Sequence, residues 1–107
     1  MKTVLLLTNN GMSSAPAELS KKLITNYITL LKEEKNLPVA LLFYGEGVKL
    51  VSESSPVLDE LSALESKGVQ LIICKTCLTY FGLIDGVKVG KIGTMADIIM
   101  LQLEADK

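Results

Sequence analysis

Residues 71–82 read Leu-Ile-Ile-Cys-Lys-Thr-Cys-Leu-Thr-Tyr-Phe-Gly, an apolar run that leads directly into two cysteines. A continuous apolar run is typical of a strand that is buried on both faces of a parallel sheet. The pattern therefore predicts a strand that ends at the cysteines, with a short helix over residues 76–81. Cys74 and Cys77 are the only cysteines among 107 residues, and the chain has no histidine, arginine or tryptophan. Any covalent or redox chemistry must therefore use Cys74, Cys77 or both.

Strand and helix patterns alternate along the rest of the chain. Apolar runs predict strands at residues 3–7, 39–44 and 69–73, with a shorter strand at 87–89. This alternation specifies a parallel sheet with helices on both faces. We predict one domain over residues 1–107, with a three-layer α/β/α fold and a mainly parallel sheet of four or five strands. The chain stops directly after a helix, where a doubly wound fold often adds another strand.

Helix signals stand between the predicted strands. Pro16 suits the first turn of a helix capped by Ser14 or Ala15, and Thr94 with Asp97 resembles a capping box. Gly68 is expected to end the second helix. Apolar residues at three- and four-residue spacing predict one broad apolar face on the first helix, and a second set lies on one face of the last helix. The first set is Leu19, Leu23, Ile24, Tyr27, Ile28 and Leu31, and the second is Met95, Ile98 and Ile99.

The composition limits the partners and the location of the protein. Apolar residues make up 49% of the chain and charged residues 21%, with a net charge of −1. A domain of this size buries roughly 60–65% of its unfolded surface, so the surplus of apolar side chains predicts a homo-oligomer. The lysines are spread along the chain without a basic stripe for nucleic acid, and no apolar run approaches the roughly 20 residues that span a membrane. We expect the protein to be cytoplasmic. In the cytoplasm a CxxC pair is more often catalytic or metal-binding than a structural disulfide.

Elimination narrows the chemistry of the cysteine pair. Without histidine the chain lacks the base of a cysteine–histidine hydrolase, and without arginine it lacks the bidentate phosphate clamp of a cysteine phosphatase. A zinc site would have only two thiolates per chain, so we predict no metal. Thioredoxins have a cis-proline loop well downstream of their CxxC pair, whereas no proline follows Pro56 here. Sulfur transfer through a persulfide and thiol–disulfide exchange remain.

Position distinguishes the two cysteines. Ligands of open α/β sheets bind beyond the carboxyl ends of the strands, where the strand order reverses, and Cys74 lies at such an end. Backbone N–H groups, Lys75 and Thr76 are placed to stabilise a thiolate there. We therefore predict that Cys74 carries the chemistry and that Cys77 is its accessory. The alternative is that both are ordinary buried thiols.

A second candidate site is the loop at residues 8–14, which is rich in hydroxyl groups and turn formers. Its N–H groups can cradle an anion, so Asn10, Gly11, Ser13 and Ser14 are candidate anion-binding residues. A flavin- or nucleotide-binding module is a further alternative. However, no aromatic residue is placed to stack on a flavin, and the Walker and dinucleotide motifs are absent. Turn and capping interactions also explain the loop, and we predict no cofactor.

The region around the cysteines also resembles a known family. The segments that resemble the DsrE/DsrF-like superfamily are Cys74-Lys75-Thr76-Cys77, Gly82-Leu83, Asp85-Gly86-Val87 and Val89-Gly90. Within the superfamily the chain is most similar to YchN-type proteins and to the carboxyl-terminal domain of YedF-type sulfurtransferase-like selenium metabolism proteins. The resemblance covers most of the chain, although Thr94-Met95 stands where YedF-type proteins more usually have Asn-Met.

The resemblance implies a three-layer α/β/α fold, assembly into trimers or hexamers, and a cytoplasmic role with sulfur donor and acceptor proteins as partners. In the sulfur-relay members a strand-end cysteine carries a persulfide, and Cys74 matches that position. Cys77 belongs to the CxxC subgroup, where it resolves the persulfide or forms a disulfide. We therefore expect a DsrE-like sulfur carrier or sulfurtransferase-like accessory protein, with no nucleic-acid or membrane partner. The alternative is a non-catalytic oligomeric scaffold or small-ligand-binding protein with structural thiols.

Overall fold

The computed structural model describes residues 2–107, which form a parallel sheet flanked by helices. The four strands are β1 (Val4–Leu7), β2 (Ala40–Phe43), β3 (Gln70–Cys74) and β4 (Lys91–Gly93). The α-helices are α1 (Ala17–Leu31), α2 (Leu58–Ser66), α3 (Lys75–Tyr80) and α4 (Met95–Glu104). Two 3-10 helices span Gly45–Val51 and Ile84–Gly86. No helix in residues 2–107 combines the length and the apolarity that crossing a membrane requires.

The sheet has the order β1-β2-β3-β4, and all three strand pairs are parallel. Every residue of β2 is fully buried, as expected of an interior strand covered on both faces. In β3 only the first residue is exposed. The predicted α/β fold and its first three strands are therefore confirmed.

Both faces of the sheet are covered, because the chain reverses direction across the sheet after β4. Right-handed connections between sequential parallel strands place α1 and α2 on one face. After β4 the chain runs back across the other face, where α4 lies against β3. The residues after α4 reach the outer edge of β1, where Val4 N–H donates to the Lys107 carbonyl at 2.8 Å and Asp106 N–H donates to the Lys2 carbonyl at 2.7 Å. This short tail occupies the place of the additional strand that the sequence pattern lacked.

The predicted strand at residues 87–89 is wrong. Val87 forms only an isolated antiparallel bridge with Ser52, and the fourth strand lies instead at Lys91–Gly93. Glycine is required around this strand because its backbone lies against the side chains of β3. A Cβ atom on Gly93 would lie 2.7 Å from the Cγ2 atom of Ile72, and Gly90 has a φ of +86°. Close backbone approach, rather than alternating hydrophobicity, therefore determines where the edge strand forms.

The broad apolar face predicted for α1 divides into two in the structure. Ile24 and Ile28 are fully buried, and Leu31 is partly buried against the core. The other apolar side chains form an exposed stripe along the helix: Leu19, Leu23, Tyr27 and Leu30. In α4 only Ile98 is buried, and the exposed apolar residues are Met95, Ile99, Met100 and Leu103. Each helix therefore presents apolar side chains to solvent as well as to the core.

The predicted helix starts agree with the structure at one helix and not at the other. The capping box of α4 is present, because Thr94 Oγ1 accepts from Asp97 N–H and the Asp97 carboxylate accepts from Thr94 N–H. For α1, Pro16 is itself the N-cap and no side chain caps the helix, so the prediction of a Ser14 or Ala15 cap is wrong by one or two residues.

Candidate functional site

The two cysteines lie at the junction of β3 and α3. Cys74 is the last residue of β3 and the N-cap of α3, with extended backbone angles. Cys77 is the third residue of α3, so the first helical turn brings its side chain back towards that of Cys74. We name residues 74–77 the cysteine turn.

The cysteine turn lies at the carboxyl ends of two neighbouring parallel strands. Cys74 ends β3 and is paired in register with Gly93, the last residue of β4. The turn is therefore at the end of the sheet where open α/β proteins bind ligands.

The two cysteines differ in their access to solvent. The Cys74 side chain is 1% exposed and belongs to the hydrophobic core, whereas Cys77 is partly exposed. Both are free thiols. The exposure of a thiol determines which reagents can reach it. A protein or small-molecule sulfur donor in solution therefore meets Cys77 before Cys74.

A backbone N–H group from another strand end contacts the accessible sulfur. Gly45, just after β2, donates its N–H to Cys77 Sγ at 3.1 Å. Gly45 has a φ of +59°, and a Cβ atom there would lie 3.3 Å from the Thr8 carbonyl oxygen, so the position favours glycine. The Gly45-x-Gly47 pattern after the second strand was the sequence signal for this residue. This pattern by itself indicates a turn, and it does not predict the contact with Cys77.

Opposing influences act on the Cys77 thiol. Burial raises its pKa above the ordinary value, and the Gly45 N–H bond lowers it. The neighbouring Cys74 thiol raises the pKa of Cys77 further, through side-chain hydrogen bonding and through charge repulsion. The net effect is a raised pKa, so Cys77 is predominantly a neutral thiol at pH 7.

The 3-10 helix Gly45–Val51 also supports α3 through its side chains. Lys49 pairs with Glu46 at 2.6 Å, and its Nζ atom lies 4.6 Å from the centre of the Phe81 ring. Phe81 packs edge-to-face with Tyr80, whose side chain is 83% exposed. These contacts join the segment that donates to Cys77 to the helix that carries Cys77.

The other predicted site residues occupy two places. Lys75 and Thr76 are exposed and form the start of α3. The loop at residues 8–14 begins beside Gly45, and its backbone is bonded to Ser20 of α1. The buried Ser20 hydroxyl donates to the Met12 and Ser13 carbonyls, and Met12 N–H donates back to the Ser20 carbonyl. Gly11 is buried and Asn10 is partly exposed, while Ser13 and Ser14 are exposed.

Two cavities of the structure lie away from the cysteines. A cavity of 260 Å³ includes Gly68 and Lys91 in its lining, and one of 190 Å³ lies between β3, β4 and α4. Neither is lined by a cysteine. In residues 2–107 no three histidine, cysteine or carboxylate side chains come together in a way that could hold a metal ion. The cysteine turn is thus a partly exposed surface site.

This fold and this turn define a class of protein, a parallel α/β domain with paired thiols at the carboxyl edge of its sheet. The sequence model of the DsrE/DsrF-like family matches residues 2–107. The chain therefore belongs to the DsrE/DsrF-like family, which is broadly associated with sulfur relay.

Two solved structures share the fold. The YchN protein from E. coli is 22% identical with a TM-score of 0.68, and the match covers 100% of this chain and 97% of that one. MTH1491 from Methanobacterium thermoautotrophicum, described as a protein of unknown function, is 20% identical with a TM-score of 0.64, covering 94% of this chain and 90% of that one. No curated protein matches the chain.

Proposed function

We propose that this protein carries sulfane sulfur as a persulfide on its cysteine turn. The observation that supports the proposal is the partly exposed Cys77 thiol, which accepts an N–H bond from Gly45 beside the buried Cys74 thiol. The broad association of the family with sulfur relay supports it as well. The sequence favoured Cys74 as the carrier. Solvent exposure instead favours Cys77 as the atom that receives sulfur, with Cys74 as the second thiol of the site.

The transfer is a thiol exchange at sulfur. The Cys77 thiolate attacks the outer sulfur of a donor persulfide, a new S–S bond forms at Cys77 Sγ, and the donor leaves as a thiolate. Onward transfer reverses these roles, because an acceptor thiolate attacks the outer sulfur and Cys77 leaves as a thiolate. The Gly45 N–H group stabilises that leaving thiolate.

The same residues favour a carrier over a complete enzyme. The raised pKa of Cys77 slows both attack and departure at neutral pH, since both steps pass through the thiolate. The chain has no histidine to act as a general base near pH 7. A partner protein would therefore supply the activation at each end of the relay.

Intact mass measurement tests the carrier function. The protein is incubated with a cysteine desulfurase and cysteine, and the masses of wild type, Cys77→Ser and Cys74→Ser are compared. We expect Cys74→Ser to gain one sulfur atom and Cys77→Ser to gain none. An adduct on Cys77→Ser that is absent from Cys74→Ser would place the carrier on Cys74. Absence of added sulfur from every form, with no sulfide released, would rule out the carrier function.

We also propose that the protein self-associates, as its composition and its family resemblance predict. The exposed apolar side chains of α1 and α4 support the proposal, because soluble monomers rarely leave such residues in contiguous patches. Sedimentation velocity should show a species of three or six chains. A monomer at micromolar concentration would contradict it.

A further inference from the structure

The most exposed large apolar side chain in residues 2–107 belongs to α3, the helix that carries Cys77. Tyr80 is 83% exposed and follows Cys77 by three residues. Residues three apart on a helix are neighbours on its surface, with Cβ atoms about 5–6 Å apart. The next most exposed apolar side chains, Leu103 and Leu30, belong to α4 and α1. The cysteine turn therefore has an exposed aromatic ring beside its accessible sulfur atom.

The Tyr80 ring is held in one orientation although solvent surrounds it. It packs edge-to-face on the Phe81 ring, with the ring centroids 5.2 Å apart and the planes at 84°. This arrangement is one of the favoured geometries of aromatic pairs. Lys49 Nζ lies 4.6 Å from the centre of the Phe81 ring and pairs with Glu46, so the supporting ring is held in turn. A ring that is oriented before binding loses less entropy when a partner covers it.

One segment of the chain supports both the ring and the sulfur atom. Gly45 N–H donates to Cys77 Sγ at 3.1 Å, and Lys49 of the same 3-10 helix contacts Phe81. These two contacts fix the position of the ring relative to the sulfur. A protein that binds the ring would therefore bring its own reactive sulfur to a defined place beside Cys77, and sulfur exchange needs that orientation.

We propose that Tyr80 is the docking anchor for the protein that donates sulfur to Cys77. This inference rests on the proposed carrier function, and it makes Tyr80 a specificity-determining residue rather than a catalytic one. Tyrosine is enriched among the residues that dominate protein–protein binding, because it combines a large, rigid apolar surface with a hydroxyl group. The matching surface of the donor is an apolar pocket beside its own reactive cysteine.

The charges around the cysteine turn define the donor further. Lys49 is paired with Glu46, whereas Lys75 is exposed and forms no ion pair within residues 2–107. This cation is complementary to a donor that carries a carboxylate at the rim of its pocket. A small anionic donor also meets the cation, but it has no surface that buries the ring. Protein donors and small donors should therefore differ in their need for Tyr80.

Sulfur loading from two kinds of donor tests the proposal. Wild type and Tyr80→Ala are loaded with the cysteine desulfurases of the source organism and cysteine, and separately with inorganic polysulfide. Intact mass follows the gain of one sulfur atom over time. With a desulfurase that loads wild type, Tyr80→Ala should need about tenfold more of it for half-maximal rate, at an unchanged maximal rate. Loading from polysulfide should stay within about twofold of wild type, because a small donor buries little of the ring.

Two matched variants separate the ring from its surroundings. Tyr80→Phe keeps the ring and should load from the desulfurase within about threefold of wild type. Thr79→Ala changes the neighbouring exposed residue of α3, leaves the ring in place, and should match wild type with both donors. Circular dichroism and sedimentation velocity show whether each variant keeps its fold and its assembly. A changed assembly in Tyr80→Ala would assign the ring to a subunit contact and overturn the proposal.

The remaining outcomes distinguish the docking role from the carrier function. Equal dependence on desulfurase concentration in wild type and Tyr80→Ala would overturn the docking role. Slower loading of Tyr80→Ala from polysulfide as well would overturn it too, since the ring would then act on Cys77 itself. Wild type that loads from polysulfide and from no desulfurase would leave a carrier without this protein donor. Failure of wild type to load from either donor would instead reject the carrier function.

Discussion

The cysteine turn and the hydroxyl-rich loop at residues 8–14 both follow parallel strands at the same edge of the sheet, yet they use their polar groups differently. Ser20 of α1 donates its hydroxyl to two loop carbonyls, and its own carbonyl accepts from Met12 N–H, so these bonds hold the loop in shape. In the cysteine turn, the Cys77 sulfur accepts one bond from another segment and remains partly exposed. The backbone of the loop is thus bonded to α1, while the cysteine turn keeps a partly exposed sulfur atom.

The two regions share their position at the end of the sheet and differ in the partners of their polar atoms. Gly45 lies between the two regions, with its N–H bonded to Cys77 and its Cα beside the Thr8 carbonyl. The loop therefore contributes to the cysteine turn indirectly, by fixing the segment that donates to the sulfur.

The largest expected effect comes from Gly47, which follows β2 and lies against the end of β1. A Cβ atom on Gly47 would overlap the Leu7 carbonyl, which is backbone and cannot move aside. Gly47→Ala should lower the free energy of unfolding by about 3 kcal/mol or prevent folding, because close-packed backbone tolerates no additional atom there. Urea unfolding measures the change. Gly86→Ala is the matched control, since no atom lies within 4 Å of its Cβ position, and equal losses in both variants would contradict the prediction.

A smaller effect is expected from the hydroxyl that closes the loop. Ser20→Ala removes two hydrogen bonds at a buried position and should lower the free energy of unfolding by about 1–2 kcal/mol. Ser62→Ala, at an exposed position of α2, carries the same change in helix propensity without these bonds. The difference between the two variants isolates the loop contacts. Sulfur loading of Ser20→Ala should match wild type if the loop is only structural, and a loss of loading in the folded variant would show otherwise.

The smallest effect is a change in the pH at which Cys77 reacts. The rate of alkylation by iodoacetamide should rise with pH through a midpoint above the free-thiol value of about 8.5, because the pKa of Cys77 is raised in the folded chain. Cys74→Ala should lower that midpoint, since it removes a hydrogen bond and a charge repulsion that both raise the pKa. An unchanged midpoint would mean that the two thiols do not interact.

The same pKa shift fixes the sign of a stability effect. The unfolded chain ionises Cys77 at lower pH than the folded chain does. The contribution of this pKa difference to the free energy of unfolding is therefore complete below the free-thiol pKa. It is lost as the pH rises through the pKa of Cys77 in the folded chain. In wild type, urea midpoints should fall over this alkaline range more steeply than in Cys77→Ser.

The parts of the fold that the sequence predicted correctly are those controlled by local pattern. Continuous apolar runs identified β2 and β3, because a strand covered on both faces has no polar side to display. The edge strand β4 was misplaced, since Gly90 and Gly93 are required by the side chains of the neighbouring strand rather than by their own neighbours in sequence.

At the site, residue types were predictable and their environments were not. The two cysteines were identified from their spacing and from the absence of histidine and arginine. The Gly45 N–H bond was missed because a backbone donor has no residue type of its own. The burial of Cys74 behind Cys77 depends on the packing of α3 against the 3-10 helix Gly45–Val51, which lies outside the motif.

The hydrogen bonds of Lys2 and Val4 with Asp106 and Lys107 hold these two segments together beside β1. Lys2 precedes β1, so this junction lies at the amino-terminal ends of the strands, whereas the cysteine turn lies at their carboxyl ends. A short peptide linker could therefore close the backbone into a ring without approaching the thiols. Closing a loop of roughly 100 residues removes conformational entropy from the unfolded chain worth about 4.7 kcal/mol in the chain-entropy model. A ring closed between these two segments would keep the carboxyl ends of the strands, and the cysteine turn with them, free of the linker.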